Sequence, residues 1–161
     1  MLYIKQVFVP TLNQGDYMIN VEKYLLLFCV GGLGYGLIEI TFRGYTHWSM
    51  IITGGSAFLC LYIINKSFER NSIYKKAFLG AFIITTLELT VGLIVNKTFN
   101  LGVWDYTNTP FNFLGIISLP FCVCWYVISF IVLKTFNTLD KLNAQQKFYK
   151  PLHHVMEHLQ K

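Results

Sequence analysis

The sequence predicts an all-α, polytopic membrane protein: a four-transmembrane-helix bundle followed by a cytoplasmic amphipathic tail. Three observations predict it. Hydrophobic residues make up 54% of the 161-residue chain and charged residues only 13%, with a mean hydropathy of +0.48. An ordinary soluble domain is roughly a quarter charged. Four segments approach the length of about 20 mostly apolar residues that crosses a bilayer. The basic residues gather in alternate connections, the asymmetry that orients spanning helices.

The elements follow in order. Residues 1–20 form an N-terminal cytoplasmic segment in which polar and apolar residues mix without a period, and no continuous apolar core marks a cleavable signal peptide. Residues 21–134 form the transmembrane domain, with spans at about 24–42, 49–65, 77–96 and 113–133. The second span is short and carries Gly54-Gly55, a length that local thinning of the bilayer accommodates. Residues 135–161 form a tail with two apolar stripes at helical spacing. Phe136, Leu139 and Leu142 make the first, and Leu152, Val155, Met156 and Leu159 the second. Pro151 is expected to separate them. A basic, half-apolar tail suits an anionic membrane surface.

Lys5 and Lys23 precede the first span. Lys66, Arg70, Lys75 and Lys76 lie between the second and third, and Lys134, Lys141, Lys147, Lys150 and Lys161 follow the fourth. Only Arg43 and Lys97 fall in the other connections. Both termini are therefore expected on the cytoplasmic side. The net charge of +5 is spread along the chain, with no basic face of the kind that binds nucleic acid. Cys29, Cys60, Cys122 and Cys124 all sit in apolar runs at spacings that suit neither a zinc knuckle nor a redox pair, so free thiols are expected.

Two acids interrupt the apolar spans. The first span reads GLIEIT around Glu39 and the third reads TTLELT around Glu88. Aligning the two acids pairs Gly32 with Ala81, Gly36 with Thr85 and Arg43 with Gly92, all on one helical face. The pattern is a parallel repeat: two stripes of small residues, each with one acid, expected to face each other and place both carboxyl groups inside the bundle. An acid at the centre of a spanning helix costs about 2.5 kcal/mol or more on insertion scales, so it needs a partner or a function. Arg43, one turn along, is the partner available to Glu39. Glu88 has no basic residue within four positions. It pairs across the bundle, with Arg43 or His47, or is held neutral. A polar clamp between helices is the structural reading, and a ligand, ion or proton site the functional one.

Each acid-bearing span leads into a polar, aromatic segment, RGYTHWS after Glu39 and NLGVWDYTNTPFNFLG after Glu88. An aromatic belt at the headgroups accounts for Tyr45, Trp48, Trp104 and Tyr106. It does not account for His47, Asp105, Asn108 and Asn112. The expectation is a polar pocket in the outer half of the bundle. Glu39, Arg43, His47, Glu88 and Asp105 are its ligand- or proton-binding candidates, and Trp48, Trp104, Tyr106 and Asn112 its cap.

Other chemistry is less well supported. His154, Glu157 and His158 match H-x-x-E-H, but no downstream acid is there to complete a zinc site, so no metal is assigned. No G-x-S-x-G occurs and no cofactor motif is present. A two-carboxylate reaction of Glu39 and Glu88 on a lipid-linked substrate is chemically conceivable.

The segments GGLGYGLIEITFRGYTHW, ITTLELTVGLIVNK and GVWDYTNTPFNFLGIISLPFCVCWYVIS resemble the CmpB-like family of small bacterial membrane proteins, described as ABC-transporter type IV permeases. The resemblance covers residues 24–133. Its most specific elements are Glu88 followed by Trp104, Asp105, Tyr106, Pro110, Phe111, Asn112 and Gly115, and Glu39 followed by Arg43, Gly44 and Tyr45. His47-Trp48 stands where many members carry Gly-Pro, a departure that marks a subgroup. The resemblance implies a permease subunit of the bacterial cytoplasmic membrane that moves a small solute. Without a G-x-x-x-x-G-K-[ST] loop this chain is not itself the ATPase. Four spans are few for a permease, so the expectation includes a separate ATPase, another membrane subunit or a homo-oligomer. The alternatives are an enzyme acting on a lipid or lipid-linked substrate, and a structural or regulatory subunit.

Overall fold

The computed structural model describes the backbone of residues 14–159 and the side chains of residues 20–145. The first 13 residues lie outside it, as do the side chains of the H-x-x-E-H motif. Four helices carry the fold: α1 (Gln14–Arg43), α2 (Trp48–Ser67), α3 (Ile73–Gly92) and α4 (Leu119–Leu159). Each contains a stretch long and apolar enough to cross a membrane. The protein is an all-helical, multi-pass membrane protein.

The helix ends have local causes. His47 caps α2 through its ring Nδ1, which accepts from the Ser49 backbone N–H at 3.3 Å. After Gly92 the backbone of α3 widens into one π-helical turn, Leu93–Thr98. The chain then crosses the end of the bundle in a loop that holds a small antiparallel hairpin, β1 (Asn112–Phe113) and β2 (Ile117–Ser118). Leu114 and Gly115 turn that hairpin at positive φ. Residues 113–118, expected to open the fourth span, are therefore hairpin, and the helix starts at Leu119 with Pro120 in its first turn. At its other end α4 continues past residue 134 into the tail without interruption. Pro151 does not divide it. Between the two, Thr135 and Thr138 bond back to carbonyls one turn earlier, so their hydroxyls do not compete with the helix.

The helices pack in two close pairs, α1 on α2 and α3 on α4, with α2 also touching α3 and α4. Small residues set both pairs, but not as the repeat suggested. Gly32 and Gly36 on α1 meet Ile51 on α2, and Thr85 on α3 donates to Cys122 on α4 at 3.6 Å, while the neighbouring Gly80 meets Ser129 on α4 and Leu61 on α2. The small-residue stripes of α1 and α3 thus face α2 and α4 rather than each other. Each helix takes the neighbour that offers a matching shape. The cysteines are free, with Cys29 and Cys124 exposed on the helix surface.

At the end opposite the hairpin, Lys76 is buried and donates to the Asn65 side chain at 3.1 Å. Lys66 pairs with Asp140 at 2.7 Å, joining α2 to α4. Both side chains of that pair are more than a third exposed, so it contributes about 0–1 kcal/mol.

Candidate functional site

Both intramembrane acids are buried, Glu39 at 5% exposure and Glu88 at 1%, but their partners differ. Glu39 pairs with Arg43 at 3.1 Å, as the one-turn spacing predicts. Glu88 takes neither Arg43 nor His47. Its two oxygens accept from the Tyr35 hydroxyl at 2.6 Å and the Trp125 indole N–H at 2.7 Å. The Tyr35 and Trp125 rings stack 5.3 Å apart, so α1, α3 and α4 meet at this carboxyl group. The Trp104 indole N–H lies within electrostatic reach of Glu88 but makes no aligned hydrogen bond. Tyr35 and Trp125 were not singled out from sequence. A signal exists for Tyr35, which precedes Glu39 by one turn and so shares its face. Trp125 sits in an unbroken apolar run that hides it.

The loop between α3 and α4 roofs this end of the bundle. Asn96, in the π-helical turn, holds it down. Its side-chain oxygen accepts from the N–H groups of Val103 at 2.7 Å and Trp104 at 3.2 Å, and its amide donates to the Trp104 carbonyl at 2.5 Å. Arg43 adds a donor bond to the Val103 carbonyl at 2.6 Å. Asn96 is thus a third residue that sequence reading passed over, because it looked like the polar end of a span. Substituting Asn96 by Ala leaves two backbone N–H groups without acceptors, at a cost of about 1–3 kcal/mol. The expected readout is faster proteolytic cleavage within residues 99–118 while the helices stay intact. An unchanged cleavage rate would show that the roof is held by other contacts.

Beneath the roof a cleft of about 570 Å³ opens between α1 and α4. Glu39, Arg43, Asp105 and Tyr106 line it together with Phe121, Trp125 and Ile128. Tyr106 stacks on Phe121 at 4.4 Å and lies beneath the Arg43 guanidinium at 5.3 Å. Burial pushes the Tyr106 phenol above its ordinary range, so it remains a neutral hydroxyl. Asp105 is exposed at the rim. Its carboxylate accepts from the Thr107 hydroxyl at 2.6 Å and the Thr107 N–H at 3.2 Å, which holds its pKa below the usual carboxylate range.

Four of the nine candidate residues, Glu39, Arg43, Asp105 and Tyr106, therefore share one cleft. Glu88 and Trp104 lie behind it in the packed interior. His47 and Trp48 form a pair at the start of α2, with Trp48 exposed. Asn112 braces the loop from within, donating to the carbonyls of Thr107 and Thr109.

Four helices long and apolar enough to cross a membrane, with a roofed cleft between α1 and α4 at one end, make this a multi-pass membrane protein. Residues 39–157, more than half of the chain, match the family described as "Putative ABC-transporter type IV", and the chain belongs to that family. The match starts at Glu39, later than the resemblance in residues 24–133; like that resemblance it includes the roof, and it runs on into the tail as far as residue 157. No solved structure matches the chain.

Proposed function

We propose that this chain is the membrane subunit of an ABC-type transport system and that it holds its cargo in the cleft between α1 and α4. The cleft itself carries the reading: a half-buried ion pair at its wall and the exposed Asp105 at its rim. Family membership supports the transport assignment. Glu39, Arg43 and Tyr106 contact the cargo, and Asp105 stands at the mouth. Glu88 serves as the clamp behind the site, since both its oxygens are occupied by Tyr35 and Trp125. The same occupancy argues against two-carboxylate catalysis. With Lys66, Arg70, Lys75, Lys76, Lys134 and Lys141 at the far end, the roof faces away from the cytoplasm. Energy comes from a separate ATPase subunit.

Native mass spectrometry after gentle extraction from the protein's own membrane tests the assembly. The expected result is a stoichiometric complex with an ATP-hydrolysing subunit. A lone chain or a homo-oligomer that retains a bound molecule would overturn the transport assignment and leave the cleft as a self-contained binding site.

A further inference from the structure

We infer that the molecule held between α1 and α4 is an amphiphile with an uncharged, hydroxyl-rich headgroup, of the glycolipid type. This rests on the cleft being the cargo site.

The groove has two parts. A second, apolar hollow of about 230 Å³ adjoins the roofed cleft, lined by Val30 and Tyr35 of α1, Ala57 and Phe58 of α2 and Val132 of α4. The two share Ile38, Trp125 and Ile128, so one groove runs along the α1/α4 seam. From Arg43 to Val30 it follows α1 for about 20 Å at 1.5 Å per residue. That is a path for an acyl chain rather than for a small polar solute.

The upper part has a different chemistry. The Tyr106 hydroxyl is buried, on a residue only 4% exposed, and has no hydrogen-bond partner. Arg43 Nη2 is likewise buried and unpartnered. It faces the Tyr106 hydroxyl without the alignment of a hydrogen bond. Glu39 Oε2 accepts no aligned hydrogen bond, although it lies in ion-pair range of the Arg43 Nε. Seven buried side-chain polar atoms of the described residues lack an aligned hydrogen bond, and three of the seven gather at this one cleft, which points to a ligand that completes them. The three are a donor, an acceptor and a group that is both. A phosphate only accepts and an ammonium only donates; a phosphoethanolamine headgroup supplies both, but at separate, fully charged atoms, whereas each hydroxyl does both at one neutral atom. Charge leads to the same choice. Glu39 and Arg43 neutralise each other, and Asp105 leaves the mouth negative, which disfavours an anionic headgroup. The stacked Tyr106 and Phe121 rings offer a flat apolar surface for the C–H face of a sugar.

The test uses phosphatidylcholine nanodiscs doped equally with monoglucosyl diacylglycerol, phosphatidic acid and phosphatidylethanolamine of matched chains. Native mass spectrometry then reads the lipid retained by the full chain. The glucosyl lipid is expected to be retained roughly fivefold over the others, the scale of one or two net hydrogen bonds. Tyr106→Phe is expected to remove that preference while shifting the thermal midpoint little, because the hydroxyl it deletes makes no aligned hydrogen bond within the protein. Ile38→Trp, which fills the shared wall, is expected to abolish retention of every lipid. Preferential retention of phosphatidic acid or phosphatidylethanolamine, lost in Ile38→Trp, would overturn the headgroup and keep the groove. Equal retention of all three, or a preference that survives Tyr106→Phe, would also overturn the headgroup. Retention unaffected by Ile38→Trp, or no retention at all, would overturn the groove as the cargo site as well.

Discussion

Gly54→Val is expected to destabilise the bundle by about 3 kcal/mol, the upper part of the range for overpacking. A Cβ at Gly54 would lie 2.3 Å from the Tyr35 Cβ and 2.9 Å from the Gly31 carbonyl oxygen. Neither is the free end of a flexible side chain, so α1 and α2 must separate to admit it. Tyr35 moves with α1, and its bond to Glu88 is lost with it. The effect therefore reaches the interior from a residue that touches no acid. Gly34 provides the control: a Cβ there meets nothing within 4 Å, so Gly34→Ala is expected to be neutral. Thermal unfolding in detergent, followed by tryptophan fluorescence, measures both. A Gly54→Val protein as stable as Gly34→Ala would refute the close α1/α2 contact.

The second large effect is at Glu88. Glu88→Leu strands the Tyr35 hydroxyl and the Trp125 indole N–H in the interior, at about 1–3 kcal/mol for each unsatisfied donor. Glu88→Gln keeps one acceptor and turns its amide toward the other donor, so roughly half of that loss is expected. The partners should couple. Tyr35→Phe in the Glu88→Leu background is expected to cost less than in the native protein, because its hydroxyl has already lost its acceptor. Additive losses in the double variant would show that the three groups do not act as one unit. A Glu88→Gln protein with native stability but no bound molecule would instead place Glu88 in the cargo site.

These two sites show where sequence reading succeeds and where it stops. Glu39 and Arg43 were legible as a pair because a helix fixes the geometry of residues four apart. Glu88 was legible as buried, since its neighbours in sequence are apolar. Its partners were not, because Tyr35 and Trp125 lie 53 and 37 positions away along the chain. Asn96 was hidden for a related reason. A polar residue at the end of a span is ordinarily solvated, and only the path of the returning loop makes it a tether. The small-residue stripes were read correctly as contact surfaces but assigned to the wrong neighbours. A glycine stripe announces that something approaches closely, and it does not say which helix.

The sequence by itself therefore determined the class of protein, the number of spans, the burial of two acids and the polar loop above them. All of these follow from composition and from periodicities within single helices. The tertiary structure alone decided that α1 leaves a cleft against α4, that Glu88 is closed off by an aromatic pair, and that Tyr106 and Arg43, which line that cleft, each hold a buried polar atom without an aligned hydrogen bond. Those features depend on which helices are adjacent. Helix adjacency is set by shape complementarity between distant segments, which no local pattern in the chain encodes.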